Sequence, residues 1–369
     1  MKIAQVAPLF EAVPPKLYGG TERVIHYLTE ELVRRKHEVT LFASGDSVTT
    51  AQLIPITHEA LRLNPDCIDP LAHCIVQLEK VIRQAKEFDI IHFHTDFLHF
   101  PFSSRCDTPC ITTLHGRLDL PDLQPLYNEF PRQKVISISN SQRLPLPQAN
   151  WIGTVYHGLP AGLHPLQEGN GEYLAFIGRI SPEKGVDWAI QIAIECNCPI
   201  KIAAKIDKVD QHYFEKHIAH LIDHPLVEYV GEINEQEKTS FLGKAKALLF
   251  PINWSEPFGL VMIEALSCGT PVIAFKNGSV PEVIDHGITG FVVESIPEAV
   301  QAVSRIKQLS RPAIRRVFEE RFTAGRMAED YLRLYIQVLQ DSHHFRATSF
   351  PAPGRNNLPA GAEVQLKKE

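Results

Sequence analysis

Short apolar runs alternate with longer stretches in which apolar residues recur every three or four positions, and the alternation continues along most of the chain. Residues 2–7, KIAQVA, form the first run and are closed by Pro8, the pattern of a strand buried in a parallel sheet. From Thr21, a candidate cap, Val24, Ile25, Leu28, Leu32 and Val33 share one side of a helix reaching about residue 36. Residues 37–43 are the next strand, and a helix over 69–87 leads to another at 89–94. Further runs at 111–114, 134–139 and 151–156 add three strands. The segment 161–171, AGLHPLQEGNG, mixes glycine, proline and polar groups and reads as a linker. A second series follows, with strands at 173–177, 199–204, 227–230, 247–251 and 271–275. Its helices end near 195, span 210–222, 297–309 and 312–320, and finish with a long one at 324–340. This alternation predicts an α/β protein with two parallel sheets.

The most informative stretch is 254–269, WSEPFGLVMIEALSCG. Pro257 disfavours helical geometry at Glu256, which belongs in a loop, while Phe258 onward reads as a helix stopped by Gly269. Glu264 sits in the helix body, so one carboxylate from the loop and one from the helix can face a single ligand. The N–H groups of Gly259 and Leu260 open the helix, a natural place for phosphate. Carboxylates suit sugar and ribose hydroxyls, and free N–H groups suit phosphates, so the combination suits a nucleotide sugar.

Two further segments point the same way. GRISPEKG, 178–185, places Arg179 and Lys184 at a strand-to-helix junction after Gly178. Departure of a nucleoside diphosphate leaves negative charge on its β-phosphate, and two cations aimed there stabilise the transition state more than the ground state. Arg179 brings a planar fork and Lys184 a compact point charge, with Lys205 a further phosphate-side candidate. The first loop ends in Tyr18, Gly19 and Gly20. Adjacent glycines let backbone approach a phosphate or sugar, but they are not the Gly-x-Gly-x-x-Gly fingerprint, which argues against NAD. His92 and His94 share one side of the strand at 89–94 and, without a nearby cysteine or acidic cluster, suit a polar lining better than a metal.

The glutamate, seven residues, glutamate spacing of Glu256 and Glu264 resembles the motif of retaining glycosyltransferases with the GT-B fold, family 4 in particular. GRISPEKG resembles that family's Gly-Arg, four residues, Lys-Gly element, Gly19-Gly20 its first-loop glycines, and Asn277 to Glu282 its glycine turn and Pro-Glu pair. His157-Gly158 stands where relatives often carry Asn-Gly. The resemblance implies two Rossmann-like domains facing a central cleft and a last helix crossing back to the first. The boundaries that follow are 1–165 for an acceptor domain, 172–322 for a donor domain, 323–340 for the crossover helix and 341–369 for a disordered tail. It also implies that His115 and Glu256 face the donor sugar, that Glu264 takes the ribose and that Glu232 lies by the base. Gly19, Gly20, Gly178, Lys205, Phe258, Gly259 and Leu260 complete the donor site, and His94 belongs to the acceptor side.

Composition narrows the classes. With 44% hydrophobic and 22% charged residues the chain is globular, and a net charge of -6 with no basic half argues against nucleic acid. Seven cysteines, without Cys-x-x-Cys spacing, fit reduced thiols. No apolar run approaches a spanning helix, and the N-terminus reads as a strand, so the expected location is the cytoplasm or a loose peripheral place at the membrane. With no Asp-x-Asp motif, the reaction expected is metal-independent and cofactor-free. A hexose, from UDP-glucose first and GDP-mannose second, would pass with retention to an acceptor that is a sugar, a small molecule or lipid-linked. A GT-B epimerase or phosphorylase, or a non-catalytic nucleotide-sugar binding protein, are the alternatives.

Overall fold

The computed structural model describes residues 1–16, 19–169 and 171–349. Seven parallel strands form the first sheet: β1 (Lys2–Val6), β2 (Glu38–Ala43), β3 (Gln52–Pro55), β4 (Ile90–Phe93), β5 (Cys110–Thr113), β6 (Lys134–Ser137) and β7 (Asn150–Thr154), in the order β3-β2-β1-β4-β5-β6-β7. The second has six, also parallel: β8 (Leu174–Arg179), β9 (Ile200–Lys205), β10 (Val227–Gly231), β11 (Ala247–Phe250), β12 (Val272–Phe275) and β13 (Gly290–Val293), in the order β10-β9-β8-β11-β12-β13. In each sheet the first strand lies inside, so the winding direction reverses beside β1 and β8. That reversal opens a crevice at the strands' carboxyl ends, where α/β proteins place ligands.

Four local readings change. The first helix is Gly20–Arg34, with Gly19 at its N-cap and no side-chain cap bond, so Thr21 lies inside the helix and does not cap it. Strand β3 carries no alternation of its own and is held by pairing with β2. The helical region after β9 is interrupted by a π-helical turn at Phe214–Ile218. The last helix, Ala324–Ser349, runs past residue 340, so residues 341–349 of the tail expected to be disordered from 341 are helical, while its remainder from 350 lies outside the described residues, as does Tyr18.

The chain passes between the halves twice, and the two passages lie side by side. Leu159 N–H donates to Phe322 O at 2.9 Å and Ala324 N–H to Leu159 O at 2.7 Å. A Cβ on Gly158 would stand 2.2 Å from Thr323 O, which explains the glycine after His157. The final helix then packs on the first sheet through the fully buried Tyr331 and Tyr335. Across the halves, the Glu282 carboxylate accepts from Asn140 N–H and Ser141 N–H at 2.7 Å each and from Tyr156 Oη at 2.9 Å. No helix among the described residues is long and apolar enough to cross a membrane.

Candidate active site

Between the two sheets lies a cleft of about 490 Å³. The second half supplies its wall from strand ends: Gly178 and Arg179 close β8, Lys205 closes β9, and Glu232 follows β10. Glu256 to Val261 come from the loop after β11 and the helix Leu260–Ser267. The first half contributes Gly19, Gly20, Glu22, Arg23 and His115. The halves meet closely, since a Cβ on Gly20 would lie 3.2 Å from Leu260 Cδ1.

Lys184 and Glu256, 72 residues apart, touch: Lys184 Nζ lies 2.5 Å from Glu256 Oε2. Trp254 Nε1–H donates to the same oxygen at 3.0 Å, and its ring lies under the ammonium at 5.0 Å. Both side chains are mostly buried, so the indole fixes the pair where a flexible surface contact would not. The Glu256 loop is held by the Asn277 turn. Ser279 N–H donates to Glu256 O at 3.0 Å and Ser279 Oγ to Phe258 O at 2.8 Å. Gly278 permits this approach, because its φ is +54° and a Cβ would meet Glu256 O at 2.3 Å and N at 2.4 Å. We therefore expect Gly278→Ala to displace Glu256 and to cost at least ~2 kcal/mol, the left-handed penalty plus the clash. Urea unfolding measures the stability loss; a variant as stable and active as wild type would contradict this account of the loop.

Glu264 is buried, and Lys238 Nζ meets it at 2.7 Å. Lys238 also lies 3.6 Å from Glu235, which Arg23 of the first half approaches at 2.6 Å and His164 at 3.0 Å. Burial alone would raise the Glu235 carboxyl, but the His164 hydrogen bond and the Lys238 and Arg23 charges outweigh it and hold it at about 2. Arg179 is braced by Glu183 at 2.5 Å and Asp210 at 3.2 Å, and Lys205 by Asp207 at 3.0 Å. Each cation lining the cleft, Arg62 with Glu11 included, thus has a carboxylate partner. An entering diphosphate would compete for charges already positioned, without the penalty of bare like charges.

Residues 165–320 match the family model for glycosyl transferases group 1, and residues 18–152 match that for Glycosyltransferase Family 4. The chain belongs to these glycosyltransferases. It is thus an enzyme that transfers a sugar from a nucleotide sugar, and its fold is GT-B. An N-acetyl-alpha-D-glucosaminyl L-malate synthase of Bacillus anthracis is 25% identical over 374 residues, 88% of this chain and 95% of its own. The O-antigen chain mannosyltransferase C of Escherichia coli is 22% identical and covers 91% of this chain and 99% of its own. Among solved structures, Anabaena HepE in complex with UDP and glucose has a TM-score of 0.71 at 18% identity, covering 91% of this chain and 100% of its own.

Within this glycosyltransferase, His94 does not reach the cleft. It is buried, with Nδ1 2.8 Å from His115 Nε2 and Nε2 2.8 Å from Gln5 Oε1, so it backs His115 and touches no acceptor. Phe258 is buried too, its ring meeting His157 edge to face at 4.9 Å. Sequence reasoning missed Lys238, Glu235 and Arg23. Arg23 follows the paired glycines and could have been suspected, but Lys238 carries no spacing signal and meets Glu264 only through the fold. Glu22 was also missed: burial, with Glu11 nearby, pushes its carboxyl up to about 7, and it lines the cleft from the first half.

Proposed function

We propose that this glycosyltransferase transfers a hexose with retention of anomeric configuration, without a divalent metal, from UDP-glucose first and GDP-mannose second. The observation that carries the proposal is the Lys184–Glu256 contact, set beside Arg179 and the start of the helix Leu260–Ser267 in one cleft. Glu256 would hold hydroxyls of the sugar, Glu264 the ribose, and Lys184 with Arg179 the diphosphate, where the two cations supply the charge a metal would otherwise bring. The acceptor hydroxyl would attack the anomeric carbon on the face the diphosphate leaves. The bond from that carbon to the phosphate oxygen breaks, and the departing phosphate takes the acceptor's proton. HepE was solved with UDP and glucose, which supports the order of donors. The acceptor, a sugar, a small molecule or a lipid-linked one, would enter past Gly20 and Glu22.

Thermal unfolding of the full chain with UDP, GDP, ADP or NAD, EDTA present throughout, tests the donor half. A ligand at a hundred times its Kd adds about 2.7 kcal/mol. UDP should stabilise most, and Glu264→Gln should reduce that shift by weakening the ribose contact. Stabilisation by NAD alone, or by none of the four, would remove the proposal.

A further inference from the structure

Four charges of alternating sign pass from the second half of the molecule into the first beside Glu264. Glu264 Oε1 lies 2.7 Å from Lys238 Nζ, Lys238 Nζ lies 3.6 Å from Glu235 Oε2, and that oxygen lies 2.6 Å from Arg23 Nη1. None of the four side chains is more than 20% exposed. Arg23 belongs to the helix Gly20–Arg34 of the first half, and the other three to the helices Glu235–Gly243 and Leu260–Ser267 of the second.

The helix Glu235–Gly243 is held in place at its start and along its side. Asn234 Oδ1 accepts from Gln236 N–H at 2.9 Å and Glu237 N–H at 3.1 Å, and Glu237 Oε2 accepts from Asn234 N–H at 2.8 Å. His164, in the linker, touches the helix twice, with Nε2 3.0 Å from Glu235 Oε1 and Nδ1 2.8 Å from Thr239 Oγ1. Glu235 and Lys238 stand three residues apart on this fixed helix and so share a face. The flexible stem of Lys238 lets one ammonium serve either acid.

A carboxylate as enclosed as Glu264 needs a counterion to stay charged and in place. Lys238 supplies it, yet Glu235 stands within reach of the same ammonium. Arg23 decides that competition. While its guanidinium neutralises Glu235, the ammonium sits nearer Glu264, at 2.7 Å against 3.6 Å; without Arg23, the charge of Glu235 draws Lys238 away. Lys238 occupies Oε1 of Glu264, which leaves Oε2, neither paired nor sealed off among the described residues, for hydroxyls in the cleft.

We propose that Arg23, Glu235 and Lys238 are positioning residues through which the first half sets the selectivity of this enzyme for the ribose hydroxyls of its donor nucleotide. This rests on the donor reading above, in which Glu264 takes the ribose, and deepens it by naming what holds that carboxylate ready. Arg23 acts by occupying Glu235, and through Lys238 its effect reaches Glu264. Because the Arg23–Glu235 contact joins the two halves, the ribose is read in full only when they stand together.

Calorimetric titration of the full-length protein with UDP and with 2′,3′-dideoxy-UDP, and with the matching guanosine pair, tests this. Wild type should prefer the ribonucleotide by at least ~10-fold, the range for hydrogen bonds to a charged group. Arg23→Met should reduce that preference at least ~3-fold, and Arg23→Lys less. Any loss shared by the ribo and dideoxy forms reports on phosphate contacts or on the fold and cancels in the ratio. Glu235→Gln added to Arg23→Met should return the preference toward the wild-type value, because Lys238 then has no rival acid. An unchanged preference in Arg23→Met, or no recovery in the double variant, overturns the inference and leaves the donor reading standing. Should Arg23→Met fail to fold, Glu235→Gln alone decides: it should keep the wild-type preference although it breaks the Arg23 contact, and a loss there overturns the inference. Binding of none of these nucleotides, or equal binding of the ribo and dideoxy forms by wild type, would sink the donor reading and the inference with it.

Discussion

Lys184→Ala lowers turnover at least ~100-fold, the range expected for loss of one preorganised charge facing a developing anion. Two consequences of the geometry enlarge the effect. The ammonium lost is the one nearest Glu256, at 2.5 Å, so a mostly buried carboxylate is left with the Trp254 N–H alone among the contacts described. Leaving a charge without its counterion also disturbs the position of Glu256, so sugar orientation suffers along with phosphate stabilisation. Lys184→Arg restores little, because a planar fork does not occupy the place of a point charge over the indole. Glu256→Gln added to Lys184→Ala costs less than the two losses combined, since the pair shares one contact. Steady-state kinetics with a nucleotide sugar, separating kcat from KM, checks this. A variant with wild-type kcat would remove Lys184 from the site.

Lowering the pH from 7.5 to 5.5 strongly destabilises the fold. His92, His94, His99 and His157 are buried and His115 is half-buried, and desolvation drives all five well below the usual histidine range, His99 and His115 to about 3. Unfolding exposes them, and below about pH 6.5 the unfolded chain binds protons that the native state refuses, so stability falls as pH falls. One buried carboxyl acts in the opposite sense. Glu22 rises to about 7 through burial, and it binds its proton in the native state before the unfolded chain does. With each of the five histidines about three-quarters protonated in the unfolded chain near pH 6 and about one proton offset by Glu22, about three protons are taken up on unfolding, a slope of ~4 kcal/mol per pH unit. That is comparable with the whole stability of an ordinary domain. Melting temperature against pH checks the sign, and a flat profile between 7.5 and 5.5 would show that these rings are not buried neutral. His92→Gln, by removing one of the five, should flatten the slope.

Much of the strand and helix order is legible in the chain because apolar runs and helical periodicity register burial directly. Residues 2–7, 89–94 and 247–251 become β1, β4 and β11 with ends shifted by a residue or so. Strand β3 escaped, since a short edge strand without alternation owes its place to its neighbour's hydrogen bonds. The expected Thr21 cap failed because the chain turns at Gly19, whose φ of +156° no capping side chain would adopt readily. Within the cleft, Arg179, Lys184, Glu256 and Glu264 stand out in sequence because paired charges at strand-to-helix junctions have few other uses. Lys238 looks like any exposed helical lysine until the helix Glu235–Gly243 lies against Glu264.

The sequence by itself determined the two α/β series, the junctions that carry charge, and the class of ligand those charges suit, because each of these follows from local spacing and from the chemistry of single residue types. Tertiary structure alone decided which charges meet. Lys184 finds Glu256 across 72 positions, and Arg23 finds Glu235 across the cleft. His94, expected to meet the acceptor, turned into support for His115. Pairing of this kind depends on distances that only packed sheets define. The energy of a charge or a hydrogen bond is set by partner and burial, and neither is written in the identity of the residue alone.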